Sequence, residues 1–237
     1  MATRALILEK AAELLASSPD GTVSTRAVCE AAGVGQPVLY RLFGDKDGLM
    51  SAVVDQVWDE YLTMKRAATP SADPLDDLRR GWDAHTAFAL AHPHAYRLVF
   101  GTTLTTTPEA PAEAMALLRG VLDRLAAQGR LRLPPDDAAR VVMAANSGVA
   151  LGLLLRPGSY PDAAISTLTR QAVERAVLAD AGPADDAPAV AATTLRAHLR
   201  ETERFSAREA ALLDEWLARL QTPPAADRPH LTAPDRT

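Results

Sequence analysis

Apolar residues recur at helical spacing along most of this chain, and proline and glycine interrupt them at short intervals. Ile7, Ala11, Leu14 and Leu15 share one face with Glu9, Lys10 and Glu13 between them, and Pro19-Asp20-Gly21 stops that first helix. Ser24 is placed to cap a short helix over 25–32 that ends at Gly33. Another short helix opens after Gly35, with Pro37 in its first turn, where a missing N–H costs nothing. Asp45 caps a long helix over 46–68. Beyond the break Thr69-Pro70-Ser71-Ala72-Asp73-Pro74, helices are expected at 74–91, 109–128, 136–156, 162–179, 193–203 and 207–221. Segment 95–106 is read as one short helix and a Thr-rich loop. No run alternates with the period of a strand, so the fold class is all-α.

A chain of 237 residues can bury a sizeable core without staples. Its single cysteine, Cys29, excludes a disulfide framework and is read as a small core residue. The net charge of −5 gives no general attraction to nucleic acid, so any such contact has to be local. The N-terminus lacks the apolar stretch of a signal peptide, and the longest uncharged apolar run, 141–155, is shorter than the roughly 20 residues a membrane span needs. The expectation is a cytoplasmic protein with no membrane association. Residues 1–48 read as one domain and 49–180 as a larger helical one, joined by the 46–68 helix. An Ala/Asp/Pro linker follows at 181–192, then helices within 193–221 and a disordered tail at 222–237.

The most specific signal is the pair of short helices meeting at Ala32-Gly33-Val34. Gly33 stands where the backbone calls for positive φ, and Val34 and Leu39 point inward to fix the angle between helices. Ala27 and Ala31 are small enough for close approach. Such a unit cannot bury its apolar face alone, so the first helix and the 46–68 helix have to cover it. The outer face of the second helix is then free to enter a major groove. Gln36 can pair with adenine, Val38 can touch a thymine methyl, and Arg41 can reach guanine or phosphate. The alternative is a three-helix packing unit with no DNA role.

Taken together, the residues Thr25-Arg26, Ala32-Gly33-Val34, Leu39-Tyr40, Phe43, Lys46 and Leu49 resemble the TetR family of transcriptional regulators. The segment around Trp82, His85 and His92-Pro93-His94-Ala95-Tyr96 is similar to one class of that family's C-terminal domains. The resemblance implies an N-terminal three-helix DNA-binding domain followed by a larger ligand-binding and dimerisation domain. It also implies a homodimer on double-stranded, palindromic operator DNA, released when a small molecule binds. By the same resemblance, Thr25, Tyr40 and Lys46 would contact phosphate, and Gln36, Pro37 and Val38 would face base edges. Gly35, Val38 and Leu42 depart from residues common in the family, and the first two changes remove hydroxyl contacts to phosphate. Residues 1–50 also carry five basic and six acidic side chains. Modest affinity with strong salt dependence is the expectation.

Further along, Trp82, Phe88, Tyr96 and Phe100 concentrate the chain's few aromatics. With His85, Met115, Asn146 and the threonines Thr102, Thr103, Thr105, Thr106 and Thr107, they suggest an apolar cavity with few polar groups. The alternative is ordinary core. On the 136–156 helix, Ala144, Ala145, Gly148 and Gly152 form a stripe of small residues. With Leu168, Ala172, Val173, Ala176 and Val177 it makes a two-helix surface, either a dimer interface or internal packing. His85, His92, His94 and Asp83 lack metal-site spacing, and no nucleophile–base pair, phosphate loop or paired acids occur, so no metal, cofactor or catalysis is expected. The reading is a sequence-specific repressor released by a small apolar effector. Its alternative is a DNA-binding dimer that activates, or that answers to a protein partner without a small-molecule effector.

Overall fold

The computed structural model describes residues 2–101, 105–106, 108–179, 187–199, 202 and 204–221. Thr102, Thr103, Thr107, residues 181–186 of the linker and the 222–237 tail lie outside them. The described residues form eleven helices: α1 Ala2–Ser17, α2 Thr25–Ala32, α3 Gln36–Phe43, α4 Lys46–Ala67, α5 Pro74–Ala91, α6 Pro93–Phe100, α7 Ala110–Ala127, α8 Pro135–Leu155, α9 Ala164–Val177, α10 Ala187–Leu199 and α11 Ala207–Gln221. Their only extended pairing is an isolated antiparallel bridge between Leu131 and Leu178, after α7 and α9.

Local chemistry sets the boundaries. Asp45 accepts from the Gly48 N–H at 2.7 Å and starts α4, and Asp73 accepts from the Leu75 N–H at 2.9 Å to start α5. Ser206 and Glu209 form a reciprocal capping box on α11, as their spacing predicts. Two boundaries differ from expectation. Pro93 opens α6 instead of lying in a loop, since proline in a first turn sacrifices no hydrogen bond. Helix α10 begins at Ala187, inside the stretch read as linker, because its alanines are strong helix formers and Pro188 sits in the first turn.

Three buried clusters hold the chain together. The first joins Ile7, Ala11 and Leu15 of α1, Val28 and Cys29 of α2, Leu39 of α3, and Leu49, Met50 and Val53 of α4. In the second, Val54, Trp58, Tyr61 and Leu62 of α4 pack on Phe88 and Ala89 of α5, Tyr96 of α6 and Ala114 of α7. The third sets Leu78 and Trp82 of α5 against Leu122 and Leu125 of α7, Val142 of α8 and Val177 of α9. Helix α4 therefore belongs to two cores at once, its first turns to one and its later turns to the other.

Helix α10 packs on α7, where His198 Nε2 lies 3.0 Å from the Ala127 carbonyl, and α11 is tied to α10 by the Arg196–Asp214 pair at 2.8 and 3.0 Å. On α11 Leu217 is buried, whereas Trp216 and Leu220 face outward. Helix α8, with mean hydropathy 1.6 over a window, is long and apolar enough by length and composition to cross a membrane, but much of it packs inside the bundle.

Candidate DNA-reading face and effector cavity

The turn between α2 and α3 is built as glycine chemistry requires. Gly33 has φ 64° and ψ 32°, and the Val34 N–H reaches back to the Cys29 carbonyl at 3.0 Å. This closes α2 with a left-handed residue that a side chain would strain. Leu39 is fully buried beneath α3 and Val34 is partly buried, as the pattern predicts. Ala32, not Ala31, provides the small buried contact; Ala31 faces solvent. Cys29 is buried, and burial pushes its thiol pKa up, which keeps it an unreactive core residue.

Gln36, Pro37, Tyr40 and Arg41 are exposed on α3, and Val38 is half-buried at its edge. The Thr25 hydroxyl at the start of α2 lies 3.5 Å from the Tyr40 hydroxyl, so two phosphate-capable groups meet between the helices. Lys46 is exposed in the first turn of α4, where the helix end adds partial positive charge. Arg26 points outward and pairs with Glu30 at 2.9 Å. Two features escaped the sequence reading. Arg4 of α1 lies over the Phe43 ring, 5.2 Å from its centre. A Cβ on Gly48 would stand 2.1 Å from the Phe43 carbonyl oxygen, so only glycine lets α4 leave α3 so closely.

A cavity of about 80 Å³ lies among α4, α5, α7 and α8. Trp82, His85 and Asn146 line it. Phe88, Tyr96 and Phe100 do not: their rings pack around Trp58 with centroids 4.7–6.0 Å away, which makes them core. Met115 packs against the third cluster instead. Tyr61, Leu62 and Lys65 of α4 supply a wall that the sequence reading missed. Trp58, Tyr61 and Lys65 fall at helical spacing in the sequence, but only the packed bundle shows which of them reach the cavity.

The cavity's polar groups are largely engaged. His85 Nε2 lies 2.8 Å from the Tyr96 hydroxyl and Nδ1 3.4 Å from that of Tyr61. Burial, with a smaller push from the Lys65 charge, lowers the His85 pKa to about 4, so the ring is neutral. Burial raises the pKa values of both tyrosines. Asn146 accepts from the Thr86 hydroxyl at 2.9 Å and donates to the Trp82 carbonyl at 3.1 Å, while Trp82 Nε1 donates to Ser166 at 2.9 Å. These bonds lock α5, α8 and α9 together.

On the outer face of α8 and α9, Ala144, Gly148, Leu155, Leu168, Ala172 and Ala176 are exposed. Ala145, Val173 and Val177 turn inward to the third cluster. Gly152 is spoken for within the subunit, since a Cβ there would meet the Tyr160 ring at 3.1 Å. His94 packs against Gly21 in the turn after α1. No group of three His, Cys, Asp or Glu side chains among the described residues is placed to hold a metal ion.

Residues 7–53 match the family of bacterial regulatory proteins named tetR, and residues 78–155 match the tetracyclin repressor-like C-terminal domain. The chain belongs to the TetR family of transcriptional regulators. TetR-family proteins are DNA-binding transcription factors and not enzymes. No functionally curated protein matches the sequence. Among solved structures, a TetR-family regulator from Pectobacterium atrosepticum is 22% identical with TM-score 0.62, covering 76% of this chain and 95% of that one. NalD, the secondary repressor of the MexAB-OprM multidrug efflux pump in Pseudomonas aeruginosa, is 21% identical with TM-score 0.54, covering 76% and 98%. A chain from Streptomyces coelicolor A3(2) is 24% identical with TM-score 0.52, covering 92% and 89%. At these identities the likeness is one of fold.

Proposed function

We propose that this TetR-family regulator is a cytoplasmic homodimer that represses from a palindromic operator and is released by a small molecule entering the α4–α5–α7–α8 cavity. The observation that carries the reading is the path of α4. Its first turns pack on the DNA-reading unit through Leu49, Met50 and Val53, and its last turns wall the cavity through Tyr61, Leu62 and Lys65. Its 22 residues span roughly 33 Å as one rod, so a displacement at one end is felt at the other.

In this account, Gln36, Pro37 and Val38 face base edges, with Arg41 beside them. Thr25, Tyr40 and Lys46 hold phosphate, and Arg26 lies at the rim. The dimer forms on α8 and α9 through Gly148, Leu168, Ala172 and Ala176, which are exposed on the outer face of these two helices. Leu168 is 61% exposed, a large apolar side chain whose burial by a second subunit fits a symmetric interface. Two recognition helices about 34 Å apart then meet successive turns of the major groove. The change of core along α4 falls between Val53 and Val54, a turn beyond the division expected near residue 48.

The test is Leu168→Asp. It is expected to sediment as a monomer, keep its helical circular dichroism, and lose at least tenfold in affinity for palindromic genomic fragments. A variant that stays dimeric, or a monomer that binds undiminished, overturns the assembly.

A further inference from the structure

Lys65 occupies a boundary. It lines the inner cavity and also a surface groove of about 510 Å³ between α4, α5 and α7 that shares Gly81, Leu117 and Val121 with it. Its ammonium donates to the Gly81 carbonyl at 3.1 Å and lies 5.2 Å from the centre of the Tyr61 ring. An ammonium has three N–H donors, so one backbone carbonyl leaves it under-used. Among the described residues no carboxylate lies within salt-bridge distance of it.

The acid bordering the same space is already committed. Asp77 receives Arg124 at 2.6 Å, the Ser71 N–H at 3.0 and 3.2 Å, and Arg80 on its other oxygen. One carboxylate against two guanidiniums leaves the neighbourhood positive before Lys65 is counted. A Cβ at Gly81 would stand 3.3 Å from the Lys65 nitrogen, so the ammonium lies directly against the α5 backbone. Inward of Lys65 the walls are apolar, with Leu78, Leu118 and Val142 beside the ring of Trp82.

Resting on the effector reading above, we infer that the cavity takes an organic carboxylate, its acid group on Lys65 at the mouth and its apolar body directed towards Trp82 and Val142. Burial supports this: it lowers the Lys65 pKa to about 8, the mark of an ammonium held out of water without a compensating anion. A cavity of about 80 Å³ is smaller than the roughly 150 Å³ that admits benzene, so the body enters only as α4 moves away from α5 and α7. That movement couples binding to the recognition helices.

The experiment uses the full chain, with two probe series: straight-chain carboxylates and phenylalkanoates of graded length, and the matched primary amides. Binding is read by tryptophan fluorescence and calorimetry, and release is read on a DNA fragment that the protein retains. The expected result is an acid preferred at least tenfold over its amide by wild type, with the preference lost in Lys65→Met. Equal affinity for acids and amides overturns the carboxylate assignment while leaving the effector reading intact. An acid preference that persists in Lys65→Met overturns the role of Lys65. Binding by no member of either series overturns the carboxylate assignment. Melting temperature is checked for Lys65→Met, and the acid–amide comparison on wild type stands without it.

Discussion

Gly48 sits in the first turn of α4, where alanine ordinarily favours a helix by about 1 kcal/mol. Here a Cβ would collide with the Phe43 carbonyl at 2.1 Å, and backbone cannot give way as a flexible side chain can. Gly48→Ala is therefore expected to destabilise the chain by about 1–3 kcal/mol, read as a lower urea midpoint. An unchanged or raised midpoint would show that α3 and α4 are less closely joined. His85 yields a second residue-scale test. Its pKa is near 6.5 in an unfolded chain and about 4 when folded, so the folded state binds this proton less readily. The stability it preserves is complete above pH 6.5 and falls by about 3 kcal/mol as pH drops through 4. Denaturation of wild type and His85→Gln across this window isolates the effect, because both share the same carboxylates and the same neighbouring Lys65, Tyr61 and Tyr96. Parallel stability curves would contradict a buried neutral ring.

At the scale of elements, the proposed function gives base reading to α3 and spreads phosphate holding over α2, α3 and α4. Tyr40→Ala and Lys46→Ala are expected to weaken binding to all DNA sequences alike and to reduce the salt slope by about one each, since the proposed function gives both a phosphate. Gln36→Ala is expected to relax preference at one base pair at a cost of about 1–3 kcal/mol. A shifted base preference in the first two variants, or an unaltered one in the third, would reverse these roles. Such elements are legible in the sequence because their signals are local: Gly33, Pro37, Asp45 and the Ser206–Glu209 pair each act within a turn of themselves. The start of α10 was hidden because Ala-Pro-Ala reads equally as linker or as helix until α7 packs against it. The cavity was half legible for the same reason. Trp82, His85 and Asn146 stood out as unusual residues on apolar helices, whereas Phe88, Tyr96 and Phe100 joined the Trp58 core through helix rotations that spacing alone does not fix. Lys65 carries no signal of its own in the sequence, because the Gly81 carbonyl it meets comes from α5, sixteen residues further along the chain.

At the scale of the whole molecule, the DNA-reading unit and the cavity are joined through α4 and also through α6, whose Ala95 packs in the first cluster and whose Tyr96 meets His85. A ligand shifts the balance between DNA-matched and mismatched spacings only by its differential affinity for the two. A hundredfold release therefore needs about 2.7 kcal/mol of coupling, within reach of one relocated helix. The overall charge of −5 opposes loose binding to DNA, so retention on DNA has to come from a matched surface more than from general attraction. The most direct measurement is selection from sheared DNA of the source genome by the purified full chain, with bound fragments sequenced at two salt concentrations. A few enriched fragments that share a palindrome with half-sites one helical turn apart, and that persist at the higher salt, are expected. Uniform recovery that vanishes with salt would contradict the proposed function.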